Sequence, residues 1–259
     1  MKILFIGDVV GQPGRAAVTR LVPGLREERG IDFVIANGEN SAHGAGLTEA
    51  SVQALLSAGV DVITTGDHVW DQKGFEKTIE LESRVVRPLN QPPGTPGRGS
   101  LVIEAGNGVS VGVINVVGRV FMPASDCPFR AAQNEVAQLR KKTNIIVVDL
   151  HAEATSEKIA MGRFLDGQVS LVVGTHTHVT TADEQILPKG TAYITDVGMC
   201  GPTDSVLGRD VQAVIRRFVT QMPGRLEVAE GDAALCGVVV EVNEETGLAT
   251  GIERIRLCL

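Results

Sequence analysis

The chain has 259 residues, of which 43% are hydrophobic, and a formal net charge of −7. That length suits one large α/β domain with a sizeable core, and an acidic balance in which no Lys/Arg run offers a phosphate-tracking stripe argues against a general nucleic-acid binder. A small phosphorylated substrate stays open, because a bound metal reverses the local field.

The four cysteines, Cys127, Cys200, Cys236 and Cys258, form no CxxC pair. Free thiols in a reducing compartment fit this pattern better than disulfides or a zinc–thiolate site. The opening MKILFIGD is too short an apolar run for a signal sequence, and no run reaches the length of a membrane span. The expectation is a cytoplasmic protein.

Residues 2–7 (KILFIG) read as a strand. Residues 13–30 follow as a helix, with Pro13 near its start and Gly30 as its stop. Pro23 predicts a kink or a break inside it. Strand 32–37 leads to helix 48–59, which opens on a capping-box-like Thr48. Strand 61–66 precedes a weaker helix over 73–83, and the Pro- and Gly-rich stretch 87–100 is a loop. Residues 101–118 read as a hairpin turning at Gly106-Asn107-Gly108. Then come helix 129–143, strand 144–150, helix 156–167, strand 169–174, strand 192–198, helix 210–222 and a closing hairpin over 234–259. Strands alternating with helices predict an α/β core with an antiparallel extension, in one domain spanning 1–259.

Ligands of open α/β sheets bind beyond the carboxyl ends of the strands. Asp8 follows the first run, Glu39 and Asn40 the second, Asp67 and His68 the third. The run 144–150 delivers His151, and 169–174 delivers His176 and His178. Alone, each has an ordinary reading: a strand-end Asp caps helices or forms turns, and a lone His is often a hydrogen-bonded structural residue. Together they crowd carboxylates and imidazoles in a way that a cation resolves. Nitrogen and oxygen donors without thiolate suit Mn, Fe, Zn or Ni. The set exceeds what one ion takes, so two ions sharing a carboxylate use it best.

The blocks GDVVG, GEN, GDHVWD, DLHAEATSEK and GTHTHVTTADE, in this order, resemble the calcineurin-like metallophosphoesterases, especially the bacterial YmdB-like branch. The resemblance implies a sandwich of mixed β-sheets flanked by helices. It implies Asp8, Glu39, Asn40 and His178 around one metal and Glu39, Asp67, His151 and His176 around the other, with His68 meeting the leaving group. Two blocks depart from the superfamily. Asp8-Val9-Val10 stands for the usual Asp-x-His, so Asn40 must fill that gap. Gly66-Asp67-His68 stands for Gly-Asn-His; the added carboxylate tightens metal binding and leaves open whether Asp67 or Glu39 bridges.

The function implied is a two-metal phosphodiesterase that hydrolyses 2′,3′- or 3′,5′-cyclic nucleotides through a metal-activated hydroxide, with a phosphomonoesterase side activity. Its cofactors are two divalent or mixed-valence ions, iron or manganese ahead of zinc. The alternatives are a nuclease for short RNA and a metal-bound nucleotide sensor without turnover. No membrane partner is expected, and homo-oligomerisation stays open. His43 reads as a surface residue that could also reach substrate from its Gly-rich loop. The glycines of GDVVGQPG miss the GxGxxG spacing, and Asp8 would repel a pyrophosphate, so no dinucleotide site is expected. Glu153, Glu157, Asp183 and Glu184 read as outer partners, caps or solvated charges, and Trp70 as packing against the sheet. On an extended backbone His176 and His178 project to the same side, with Thr177 pointing away.

Overall fold

Short β-branched runs with apolar residues at successive positions form strands buried on both faces. The computed structural model describes residues 1–259 and arranges them in thirteen strands and six helices. In chain order these are β1 (Lys2–Ile6), β2 (Asp8–Val9), α1 (Gly11–Arg29), β3 (Phe33–Asn37), α2 (Glu49–Ser57), β4 (Val62–Thr64) and α3 (Phe75–Leu81). Then follow β5 (Ser100–Glu104), β6 (Ser110–Val117), α4 (Pro128–Leu139), β7 (Ile145–His151), α5 (Thr155–Phe164) and β8 (Leu171–Thr175). The chain closes with β9 (Gln185–Ile186), β10 (Ala192–Ile194), β11 (Met199–Pro202), α6 (Val211–Thr220), β12 (Ala233–Val242) and β13 (Ala249–Cys258).

The strands build two mixed sheets. The first has seven strands in the order β2-β11-β12-β1-β3-β4, with β13 on the other edge of β12. Its β1, β3 and β4 are parallel, and β12 runs antiparallel to β1. The second has six, in the order β5-β6-β7-β8-β10-β9. Its four inner strands are parallel, and β5 and β9 run antiparallel at the edges.

Alternation along each strand sorts the side chains into three cores. Ile3, Phe5, Phe33 and Ile35 face the second sheet and meet Val147, Val173 and Ile194. Leu4, Ile6, Val34 and Ala36 face the opposite way, against Val18 and Val22 of α1, Val52 and Leu55 of α2, and Phe75 and Ile79 of α3. Ile146, Val148 and Val172 carry Val136 and Leu139 of α4 and Met161 of α5. The result is helices, sheet, sheet, helices, as the resemblance implies.

Several local signals hold. Gly30 caps α1 in the left-handed region at φ 63. Thr48 and Ser51 exchange both hydrogen bonds of a capping box. Others are corrected. Helix α1 runs through Pro23 without a break; Thr19 and Pro23 both lie on its exposed side, where water can satisfy the carbonyl that loses its partner. The closing hairpin is no peripheral extension, because β12 inserts beside β1 in the middle of the first sheet. Strand 192–198 stops at Ile194, and the chain turns to pair β11 with β2. No helix is long and apolar enough to cross a membrane.

Candidate metal centre at the strand ends

The two sheets bring different chemistry to the same end of the molecule. From the first come Asp8 just after β1, Glu39 and Asn40 after β3, and Asp67 and His68 after β4. From the second come His151, the last residue of β7, and His176 and His178 beyond β8. Asp8, Glu39, Asn40 and His151 are buried. Gly66 permits the close approach: a Cβ there would lie 2.2 Å from Glu39 Oε2 and 2.4 Å from His151 Nε2.

Ligand-type atoms of Glu39, Asp67, His151 and His176 all lie within 4.8 Å of one another. His151 Nε2 is 3.0 Å from Glu39 Oε1 and 3.1 Å from Asp67 Oδ1. His176 Nδ1 is 3.0 Å from His151 Nε2 and 3.5 Å from Asp67 Oδ1. Beside this group, His178 Nε2 stands 3.2 Å from Asn40 Nδ2 and 3.7 Å from Asp8 Oδ1. Asn40 Nδ2 also donates to Glu39 Oε1 at 3.1 Å, so Glu39 touches both groups. Asp8 Oδ2 accepts the His176 amide at 3.1 Å, whereas its buried Oδ1 has no hydrogen-bond partner.

Hydrogen bonds on the far side of each ring decide which nitrogen faces inward. Thr175 Oγ1 donates to Asp149 Oδ1 at 2.7 Å and so accepts from His151 Nδ1 at 2.9 Å. His178 Nδ1 donates to the Leu207 carbonyl at 3.1 Å. His176 Nε2 points at Glu153 Oε2, 3.3 Å away. His151 Nε2, His176 Nδ1 and His178 Nε2 therefore turn bare lone pairs toward carboxylates.

Such an arrangement needs positive charge between the partners. Burial opposes a charged His151, yet Glu39, Asp67 and Asp8 raise its pKa well above the usual imidazole value. Burial likewise works to raise the carboxyls of Glu39 and Asp67, but the same imidazole pulls both below their usual range. Asp8 goes the other way, its pKa raised by burial. A metal ion supplies this charge without protons, and the all-N/O donor set with an orphaned Asp8 oxygen fits one.

His68 is close but differently placed. Its amide donates to Glu39 Oε2 at 3.2 Å, while its half-exposed ring bonds Asp71 Oδ2 through Nδ1 at 2.8 Å. Burial opposes its charged form, and Glu39, Asp67 and Asp71 together raise its pKa regardless. His43 is exposed and lines, with Arg15 and Arg225, a cleft of about 560 Å³ that none of the candidate metal residues lines.

One geometric expectation fails. His176 and His178 do not sit on an extended backbone: β8 ends at Thr175, and the two histidines have φ 98 and φ 64. Both reach the site from a left-handed turn, a region open to few residues other than glycine. Thr177 does point away.

Of the flanking acids, Glu153 faces His176, and Glu157 accepts the Arg119 and Val120 amides. Asp183 accepts from Thr181 and Thr195, and Glu184 pairs with Arg254 at 2.6 Å. Trp70 packs on the core beneath α1–α3. Sequence reading missed Asn37, Asp149 and Thr175. Asn37 Nδ2 donates to Asp149 Oδ2, and its Oδ1 accepts the Glu39 amide, both at 3.1 Å. Their signal was a polar residue inside an otherwise apolar strand run.

Comparison with known proteins agrees along the whole chain. A protein of Bacillus subtilis (strain 168) named 2′,3′-cyclic-nucleotide 2′-phosphodiesterase is 52% identical over 255 residues, covering 98% of this chain and 96% of the relative. The crystal structure of a hypothetical protein from Thermus thermophilus matches with a TM-score of 0.93 at 44% identity, covering 100% of this chain and 99% of that one. A Mycoplasma pneumoniae structure described as a novel phosphatase gives 0.93 at 38% identity, with 100% and 93% covered. The family model described as YmdB-like protein matches residues 4–255, and the chain belongs to the YmdB-like protein family.

Proposed function

We propose that the protein is a two-metal phosphodiesterase acting on small cyclic nucleotides, with 2′,3′-cyclic compounds as first substrates, 3′,5′-cyclic ones as further candidates, and a lesser phosphomonoesterase activity. The observation that carries this reading is the meeting of two donor groups at Glu39. Glu39, Asp67, His151 and His176 make one group, and Asp8, Asn40 and His178, with the unpartnered Asp8 oxygen, make the other. Glu39 would serve both groups, because its Oε1 meets both Asn40 and His151. The name of the Bacillus subtilis relative supports the substrate class. Residues 1–259 act as one unit in this reading, since each sheet supplies only part of the donor set.

Two bound ions, iron or manganese ahead of zinc, would supply water activation and neutralise charge growing on the phosphoryl oxygens. The chain's own residues do the rest. Asp8, Glu39, Asn40, Asp67, His151, His176 and His178 would hold the ions, and Asn40, which donates to Glu39, keeps that carboxylate turned toward both groups. His68 commits Nδ1 to Asp71 and leaves Nε2 to protonate the departing sugar oxygen.

The test is a panel of 2′,3′- and 3′,5′-cyclic nucleotides, p-nitrophenyl diester and monoester, and short RNA, assayed with Mn, Fe and Zn. Turnover of cyclic substrates supports the proposal. Cleavage of RNA alone favours a nuclease, and metal binding without turnover favours a sensor.

A further inference from the structure

Thr177, between the two site histidines, is held from below by charge. Asp196 Oδ2 accepts its amide at 3.1 Å and its hydroxyl at 2.8 Å. The same oxygen receives Lys158 Nζ at 2.7 Å, and Oδ1 accepts the Gly198 amide at 2.8 Å. Lys158 and Asp196 are each 1% exposed, and Lys158 has no other ion-pair partner. Lys158 sits on α5, on the side that also carries buried Met161. Its stem passes beneath β8: a Cβ on Gly174 would lie 2.9 Å from Lys158 Cδ.

A buried lysine is costly to keep unless its partner is fixed and well bonded. Here the partner is fixed to Thr177, whose two neighbours, His176 and His178, both adopt left-handed backbone. That conformation persists only where the surroundings over-determine it. Asp196 does so by gripping Thr177 at two atoms, and Lys158 balances the charge of the gripping carboxylate.

We propose that Lys158 and Asp196 are positioning residues that aim His176 and His178 into the metal centre through Thr177. The inference rests on the two-metal reading for its consequence, but the aiming itself is independent of any ion. Lys158 touches no donor atom of the site, so its influence runs through the turn alone.

Two full-length variants test it, Thr177→Val, which keeps the branched shape and removes one bond to Asp196, and Lys158→Met, which removes the charge. Metal-free wild type and variants are compared by the nitrogen NMR signals of their imidazoles, then titrated with Mn(II). The expected result is displaced His176 and His178 signals with His43 unmoved, and Mn(II) affinity weakened about 10–100-fold at both equivalents, as for other outer-sphere partners. Thr177→Val decides the matter if Lys158→Met does not fold. Unmoved imidazole signals overturn the positioning claim. If wild type binds no Mn(II) while the signals still move, the two-metal reading fails and the positioning claim stands.

Discussion

The first sheet meets the site with oxygen, the second with nitrogen, and the two are secured in different ways. Asp8, Glu39 and Asn40 are buried at ends of strands of the first sheet, and backbone amides satisfy their spare oxygens, that of His68 on Glu39 and that of His176 on Asp8. Carboxylates present the same charge from either oxygen, so closeness and burial suffice. An imidazole must be committed to one tautomer before its other nitrogen can accept a cation. The second sheet accordingly carries its own buried polar supports, Asp149 and Thr175 behind His151 and Asp196 behind Thr177. Neither sheet holds a site alone; the apolar layer of Phe5, Ile35, Val147 and Val173 joins the halves.

The largest test of that contrast is Glu39→Gln, which removes the charge touching both halves. Metal analysis should show loss of bound ion, and turnover of a cyclic nucleotide should fall by about 10³-fold. Two retained equivalents with full turnover would show that neither group needs the Glu39 charge. Phe5→Ala attacks the joint instead. Truncating this fully buried ring should lower stability by about 3–5 kcal/mol in chemical denaturation, and Mn(II) affinity should drop although no donor is touched. Unchanged affinity would mean that the halves need no mutual docking.

The legibility of the molecule follows the same division. The side chains that gather at the strand ends were readable because each apolar run is followed at once by its polar residue, as in the Gly66-Asp67-His68 and Gly174-Thr175-His176 stretches. Local stops such as Gly30 and the Thr48 capping box were readable too, since they depend on neighbours in sequence. The pairing of Ile3 with Val240 was not, because nothing local specifies which distant strand enters the sheet. The left-handed turn at His176 and His178 was equally hidden. It carries no Gly or Asn signal and is imposed by Asp196, a contact made only after folding. Lys158 left a faint trace, a charge on the same side of α5 as Met161.

A smaller effect should distinguish donors by group. His178→Ala removes nitrogen from the Asp8 group only, and on the two-metal reading the expected outcome is one metal equivalent in place of two. Loss of both equivalents would mean that the groups are a single coupled site. Metal also links to stability. Any ion that binds only the folded chain stabilises it by about 2.7 kcal/mol at a hundred times Kd. For this length that raises Tm by roughly 5–10 °C over chelator-treated protein. A thermal scan with no such rise would break the link between the carboxylate cluster and a cation.

The finest test concerns the support behind His151. Thr175→Ser keeps the hydroxyl that donates to Asp149 and accepts from His151 Nδ1, and loses only a methyl group. Thr175→Val keeps the shape and loses the hydroxyl, so Asp149 and His151 Nδ1 each lose a partner in a fully buried place. Mn(II) affinity should stay within about 10-fold of wild type for the serine variant and fall by about 10–100-fold for the valine variant. The difference between the two isolates tautomer commitment from packing. If valine served as well as serine, the imidazole would need no aiming partner, and packing alone would hold the second sheet's histidine in place.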